Sequence, residues 1–118
     1  MNKILILLLA LLLQGCGTSV EIEGFDNQAW KKDKNGCQGL RKTQYDVIFE
    51  KRQQLKGVRE NVIKSYLGMP DQQDLQTRGQ KMYRYWVAGN PDCANGEVKK
   101  LLVIRFNALN QANEVFAE

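Results

Sequence analysis

The chain has 118 residues, with 17 Lys and Arg against 13 Asp and Glu and a net charge of +4. That length suits one small domain and excludes two, and the charges are interspersed rather than gathered in blocks, which argues against nucleic acid as a partner. There is no His and there are three Cys, so an ordinary zinc tetrad cannot be assembled, and neither a metal nor a cofactor is expected.

Lys3 precedes an unbroken run of aliphatic residues and Ala over 4–13, which stops at Gln14. A membrane-spanning helix needs about 20 apolar residues, so residues 1–15 read as a signal peptide rather than an anchor helix. The junction Leu13, Gln14, Gly15, Cys16 resembles a bacterial lipobox, in which cleavage precedes the cysteine. The resemblance implies that Cys16 becomes the lipidated first residue of the mature chain. Acyl chains contribute about 0.8 kcal/mol per buried CH₂, and two or more anchor stably. A plain signal peptide with an unrelated Cys is the alternative. Gly17 stands where Asp would be the familiar inner-membrane retention signal, so the resemblance favours the outer membrane.

With Cys16 set aside, Cys37 and Cys93 form an even pair in a compartment that permits disulfides, and a bond between them is expected. Closing a loop of that length removes roughly 4 kcal/mol of unfolded-state entropy on the chain-entropy model. Two separate buried thiols are the alternative.

Residues 16–24 are small and acidic without a sustained period, which suits a tether; residues 25–118 form the domain. Asp26 or Asn27 can cap a brief helix through QAWKKDK that ends at Asn35 and Gly36. Thr43, with Asp46 three residues on, reads as the N-cap of a second helix carrying Tyr45, Ile48, Phe49 and Leu55, terminated by Gly57. A third helical stretch places Val58, Val62, Ile63, Tyr66 and Leu67 on one stripe and stops at Gly68 and Pro70.

After Asp71 the period becomes that of strands. Leu75 falls in a weak edge strand, TRGQ in a turn, and KMYRYWVA in a strand rich in aromatic and β-branched residues. Its hairpin partner is EVKKLLVIRFN, reached through the loop GNPDCANG, and EVFAE closes the sheet. Strand parity sets Val98, Leu102, Ile104 and Phe106 on one face and Leu101, Val103 and Arg105 on the other. If helices cover the first face, the second offers a candidate partner surface of Leu101 and Val103 beside Tyr85 or Trp86, with Arg84 or Arg105 at the rim. The alternative is a strand buried on both sides, with Phe25 and Trp30 folded over it.

Residues 57–70, GVRENVIKSYLGMP, resemble the signature of the SmpA/OmlA family. The features are Gly57, a short amphipathic helix with Ile63 and Leu67, then Leu67-Gly68-x-Pro70, followed by an aromatic strand. The resemblance spans roughly 55–118; family members commonly carry Ser or Thr where Arg59 stands. It implies a BamE-like α+β fold in which two short antiparallel helices pack on one face of a three- or four-stranded antiparallel sheet, related to the β-lactamase-inhibitor repeat. The small lipoprotein subunit of the outer-membrane β-barrel assembly machinery belongs to this family.

The expected function is that of a membrane-anchored lipoprotein that binds an envelope protein as an accessory or scaffold, with outer-membrane protein assembly as the implied process. The alternative is an anchored or secreted inhibitor of a hydrolase. No catalytic residue is expected. The only serines after Cys16 are Ser19 and Ser65, and Asp71 and Asp74 sit in a polar, turn-like context that offers nothing to tune a general acid or base. A glycine-rich phosphate loop is likewise missing.

Overall fold

The computed structural model describes residues 19–94 and 96–118; the expected signal peptide, residues 1–15, and the expected lipidation site Cys16 lie outside the described residues. Asp26 caps the first helix, α1 (Asn27–Lys32), its Oδ1 accepting from the N–H groups of Gln28 and Ala29, each at 3.1 Å. Such a cap contributes about 1 kcal/mol. A 3-10 turn at Lys34–Gly36 follows. Gly36 packs against the strand that carries Trp86: a Cβ there would lie 2.5 Å from the carbonyl oxygen of Trp86, and its φ is +68°. Only glycine fits that approach.

The second helix, α2 (Leu40–Glu50), starts three residues ahead of the expected cap at Thr43. The carboxylate of Asp33 accepts from Gln38 N–H at 2.7 Å and from Arg41 N–H at 3.0 Å, so a residue from the preceding turn satisfies the helix start. Thr43 lies inside the helix and donates its hydroxyl to the Leu40 carbonyl at 2.7 Å. The helix also ends early, because the chain tightens into a 3-10 turn at Arg52–Leu55 that swings Leu55 into the core.

α3 (Glu60–Leu67) has Arg59 at its N-cap, with no side-chain cap. The turn between the last two strands compensates: Glu60 N–H donates to the Asn110 carbonyl at 2.8 Å. The first orphan donor of the helix is thus satisfied by distant backbone. Both motif glycines hold left-handed backbone, Gly57 at φ +83° and Gly68 at +82°, and Ile63 and Leu67 are fully buried.

β1 (Gln72–Leu75), β2 (Lys81–Ala88), β3 (Lys100–Phe106) and β4 (Ala112–Ala117) form one antiparallel sheet in that order. The architecture is the expected α+β class, helices on a four-stranded antiparallel sheet, with α1 as a third helix that packs against both α2 and α3. Val98 departs from its assignment to the buried strand face. It is 88 % exposed, because β2 ends at Ala88, paired with Lys100, and Val98 lies ahead of that last ladder pair.

The main core lies between helices and sheet. Ile22, Phe25, Trp30, Ile48, Ile63 and Leu67 meet Tyr83, Tyr85, Val87, Leu102, Ile104 and Phe106. Aromatic rings link its layers: Trp30 stands 5.6 Å from Phe25 and 6.1 Å from Tyr85 between centroids, within the range of favourable ring pairs. Ile22 corrects the reading of 16–24 as a tether. It is 1 % exposed, with its N–H donating to Tyr66 Oη at 2.9 Å, so the chain is docked several residues before Phe25.

Candidate functional site

The sheet's far face carries Met82, Arg84 and Trp86 from β2, Leu101, Val103 and Arg105 from β3, and Phe116 from β4, as pairing register and strand alternation require. Tyr85, expected near this surface, is instead fully buried on the helix side and donates its hydroxyl to the Gly68 carbonyl at 2.9 Å. Burial pushes its phenol pKa up, with the nearby Tyr83 adding to the shift.

Leu101 and Val103 are not exposed either, at 1 % and 0 %. Larger cross-strand neighbours close over them. Val103 is flanked by Arg84 and Phe116, and Leu101 faces Trp86. Together with Met82 they make a second small core, against which Trp86 and Phe116 pack half-buried. Neither Phe25 nor Trp30 contributes to it, since both belong to the helix-side cluster.

Charges hold this cover in place. Arg84 pairs with Asp74 and, at 3.3 Å, with Glu118. Arg105 bonds Glu114 at 2.6 Å and lies 5.6 Å from the Phe116 ring centroid, while Lys99 sits 5.8 Å from the Trp86 ring. Cations over aromatic faces are attracted by the ring quadrupole. The accessible surface is therefore Trp86, Phe116, Arg84 and Arg105, with Leu101 and Val103 as the floor beneath them.

A buried polar junction joins the N-terminal third to the sheet. Arg41, 1 % exposed, donates through Nε to the Trp30 carbonyl at 2.9 Å and through Nη1 to Asp71 at 2.6 Å and the Trp86 carbonyl at 3.1 Å. Asp71 also accepts from the backbone N–H groups of Trp86 at 2.7 Å and Asn35 at 3.0 Å. Beside this junction, Cys37 and Cys93 are at disulfide distance, with Cα atoms 5.2 Å apart, inside the range that bridged cysteines occupy.

A second polar group surrounds Glu60, which accepts from Tyr83 Oη at 2.5 Å and Lys81 Nζ at 2.9 Å, with Lys64 at 3.8 Å. Partial burial opposes its ionisation. The Tyr83 and Lys81 hydrogen bonds and the charges of Lys81 and Lys64 outweigh that and hold its pKa below the usual 4.5. For Tyr83, burial and the same hydrogen bond push the phenol up. Glu60 is committed to its three partners and Asp71 to Arg41, so each serves to hold structure. Among the described residues, no group of His, Cys, Asp and Glu could hold a metal ion, and no helix is long and apolar enough to cross a membrane.

Sequence reasoning missed Arg41 and Asp33. A signal existed for the first: Arg41, Tyr45 and Ile48 fall at i, i+4 and i+7, the buried stripe of α2. Asp33 leaves no comparable trace. Compared with known proteins, the chain matches no family model, no curated protein and no solved structure.

Proposed function

We propose that the chain is an envelope lipoprotein, held in the bacterial outer membrane by acyl chains on Cys16, whose domain binds another envelope protein as an accessory or scaffold. Outer-membrane protein assembly is the process that the SmpA/OmlA resemblance of residues 57–70 suggests. The observation that carries this reading is the junction of the apolar run 4–13 with Leu13, Gln14, Gly15 and Cys16. Support comes from the remaining cysteines, whose approach to disulfide distance suits an oxidising compartment.

The partner surface in this reading is the band of Trp86 and Phe116 flanked by Arg84 and Arg105. Half-buried aromatics over an apolar floor, with arginines alongside, match the composition of interface anchors. The proposed role is binding without catalysis.

The test combines intact mass and crosslinking in the native host. The expected mass begins at Cys16, carries acyl chains and gains two protons on reduction. A photocrosslinker in place of Phe116 should capture an envelope protein, and one in place of the exposed Gln53 should not. An unacylated chain overturns the anchor, capture of a hydrolase replaces scaffold by inhibitor, and equal capture from both positions overturns the assigned surface.

A further inference from the structure

The chain's start is seated on the helices. Val20 packs against the helix-side core, and Ile22 is buried within it and bonded to Tyr66. With acyl chains on Cys16, the lipid-anchor reading on which this inference rests, only Gly17, Thr18 and Ser19 separate the anchor from docked chain. Four Cα steps of at most about 3.6 Å each leave little slack for the domain to stand away or turn freely.

The surface around Ser19 must then lie near the headgroups. Two open grooves flank Val20 and Val62 there, with volumes of about 460 and 640 Å³. Lys31 lines the first; Lys56 and Arg59 line the second, with Glu21 as the one carboxylate on either wall. None of these three cations forms an ion pair with a described residue; Lys32, Lys34, Lys51, Arg52, Arg78, Lys99 and Lys100 share that state, so their place beside the tether is what singles the three out. Unpaired cations beside a short lipid tether complement an anionic bilayer surface. Each Lys or Arg close to such a surface strengthens attachment about fivefold.

We propose that this side of the domain rests on the anionic bilayer surface, held jointly by the lipid on Cys16 and by Lys31, Lys56 and Arg59. The Trp86 and Phe116 face, across the sheet from the helical layer, is then presented away from the membrane. The short reach fixes which side sits down, and the charges hold it there.

The test uses the full chain purified from membranes of its own host, its acylation read first by intact mass, then reconstituted in vesicles containing phosphatidylglycerol. Lysine acetylation should be at least about fivefold slower at Lys31 and Lys56 than in detergent, with Lys99 and Lys100 unchanged. The Lys56→Gln/Arg59→Gln variant, checked for folding by circular dichroism, should restore most of the labelling at Lys31. An acylated chain that labels evenly at all four lysines overturns the seated orientation while leaving the anchor standing. An unacylated mass overturns the anchor and this proposal with it, and full protection of Lys31 in the double variant overturns the role of the charges.

Discussion

On the helix side of the sheet, Tyr85, Leu102 and Ile104 are buried by side chains that arrive from distant parts of the chain, including Ile22, Trp30 and Ile63. On the far side, Leu101 and Val103 are buried by their own strand neighbours, Trp86, Phe116, Arg84 and Arg105. The first arrangement needs the whole tertiary structure. The second needs only correct register and the long stems of arginines lying across apolar surface. Strand parity therefore locates two apolar faces equally well, yet cannot tell which is sealed by other elements and which is roofed by itself.

Mutations should separate the two faces. The largest effect belongs to Arg41, whose replacement by Met leaves Asp71 as a buried charge without its partner. Losses of about 3–5 kcal/mol are typical of breaking such a pair, and urea denaturation should show one of that size. Replacing Cys37 and Cys93 by Ser should cost about 2–5 kcal/mol, as for small secreted domains, read as a fall in thermal midpoint matched by reduction of the wild type.

Next comes a direct contrast. Ile63→Ala, on the helix side, should cost about 2–5 kcal/mol, whereas Phe116→Ala, half-exposed on the far face, should cost about 1 kcal/mol or less because little of the ring leaves a dry environment. Equal losses would break the distinction between the faces. Arg105→Gln, which removes the surface pair with Glu114, should change stability by about 0.2–1 kcal/mol and less at high salt.

Glu60 gives the smallest effect, visible as pH dependence. Its folded pKa lies below 4.5, so its contribution is complete above that value and is lost as pH falls through the lowered one. Glu60→Gln should flatten the acid limb of the stability curve while leaving its slope near neutrality unchanged, as followed by thermal melts from pH 3 to 7.

Much of the fold was legible because it rests on local signals. KMYRYWVA is β2 residue for residue, Asp26 caps α1, and Gly57 and Gly68 take the left-handed backbone that their places at segment ends suggested. Thr43 misled because Asp33, closed onto the chain by a turn, supplied the helix start instead. Arg59 caps nothing, and the β3–β4 turn replaces the cap from more than forty residues away. These substitutions of tertiary for local hydrogen bonds leave no mark in a linear pattern. The candidate surface was half legible for the same reason: Trp86, Arg84 and Arg105 are where parity put them, but the cover over Leu101 and Val103 depends on Phe116, one strand further away.

The tie between Cys37 and Cys93 also sets how the domain bears load. A pull applied at the chain's start can strip away residues only as far as Cys37, because beyond it tension crosses the sulfurs to the end of the β2–β3 hairpin. Arg41 and α2 lie behind that point, shielded from peeling. If the chain is anchored at Cys16 as proposed, the bond works as a mechanical stop: drag can loosen α1, while the sheet and everything stapled to it move as one piece.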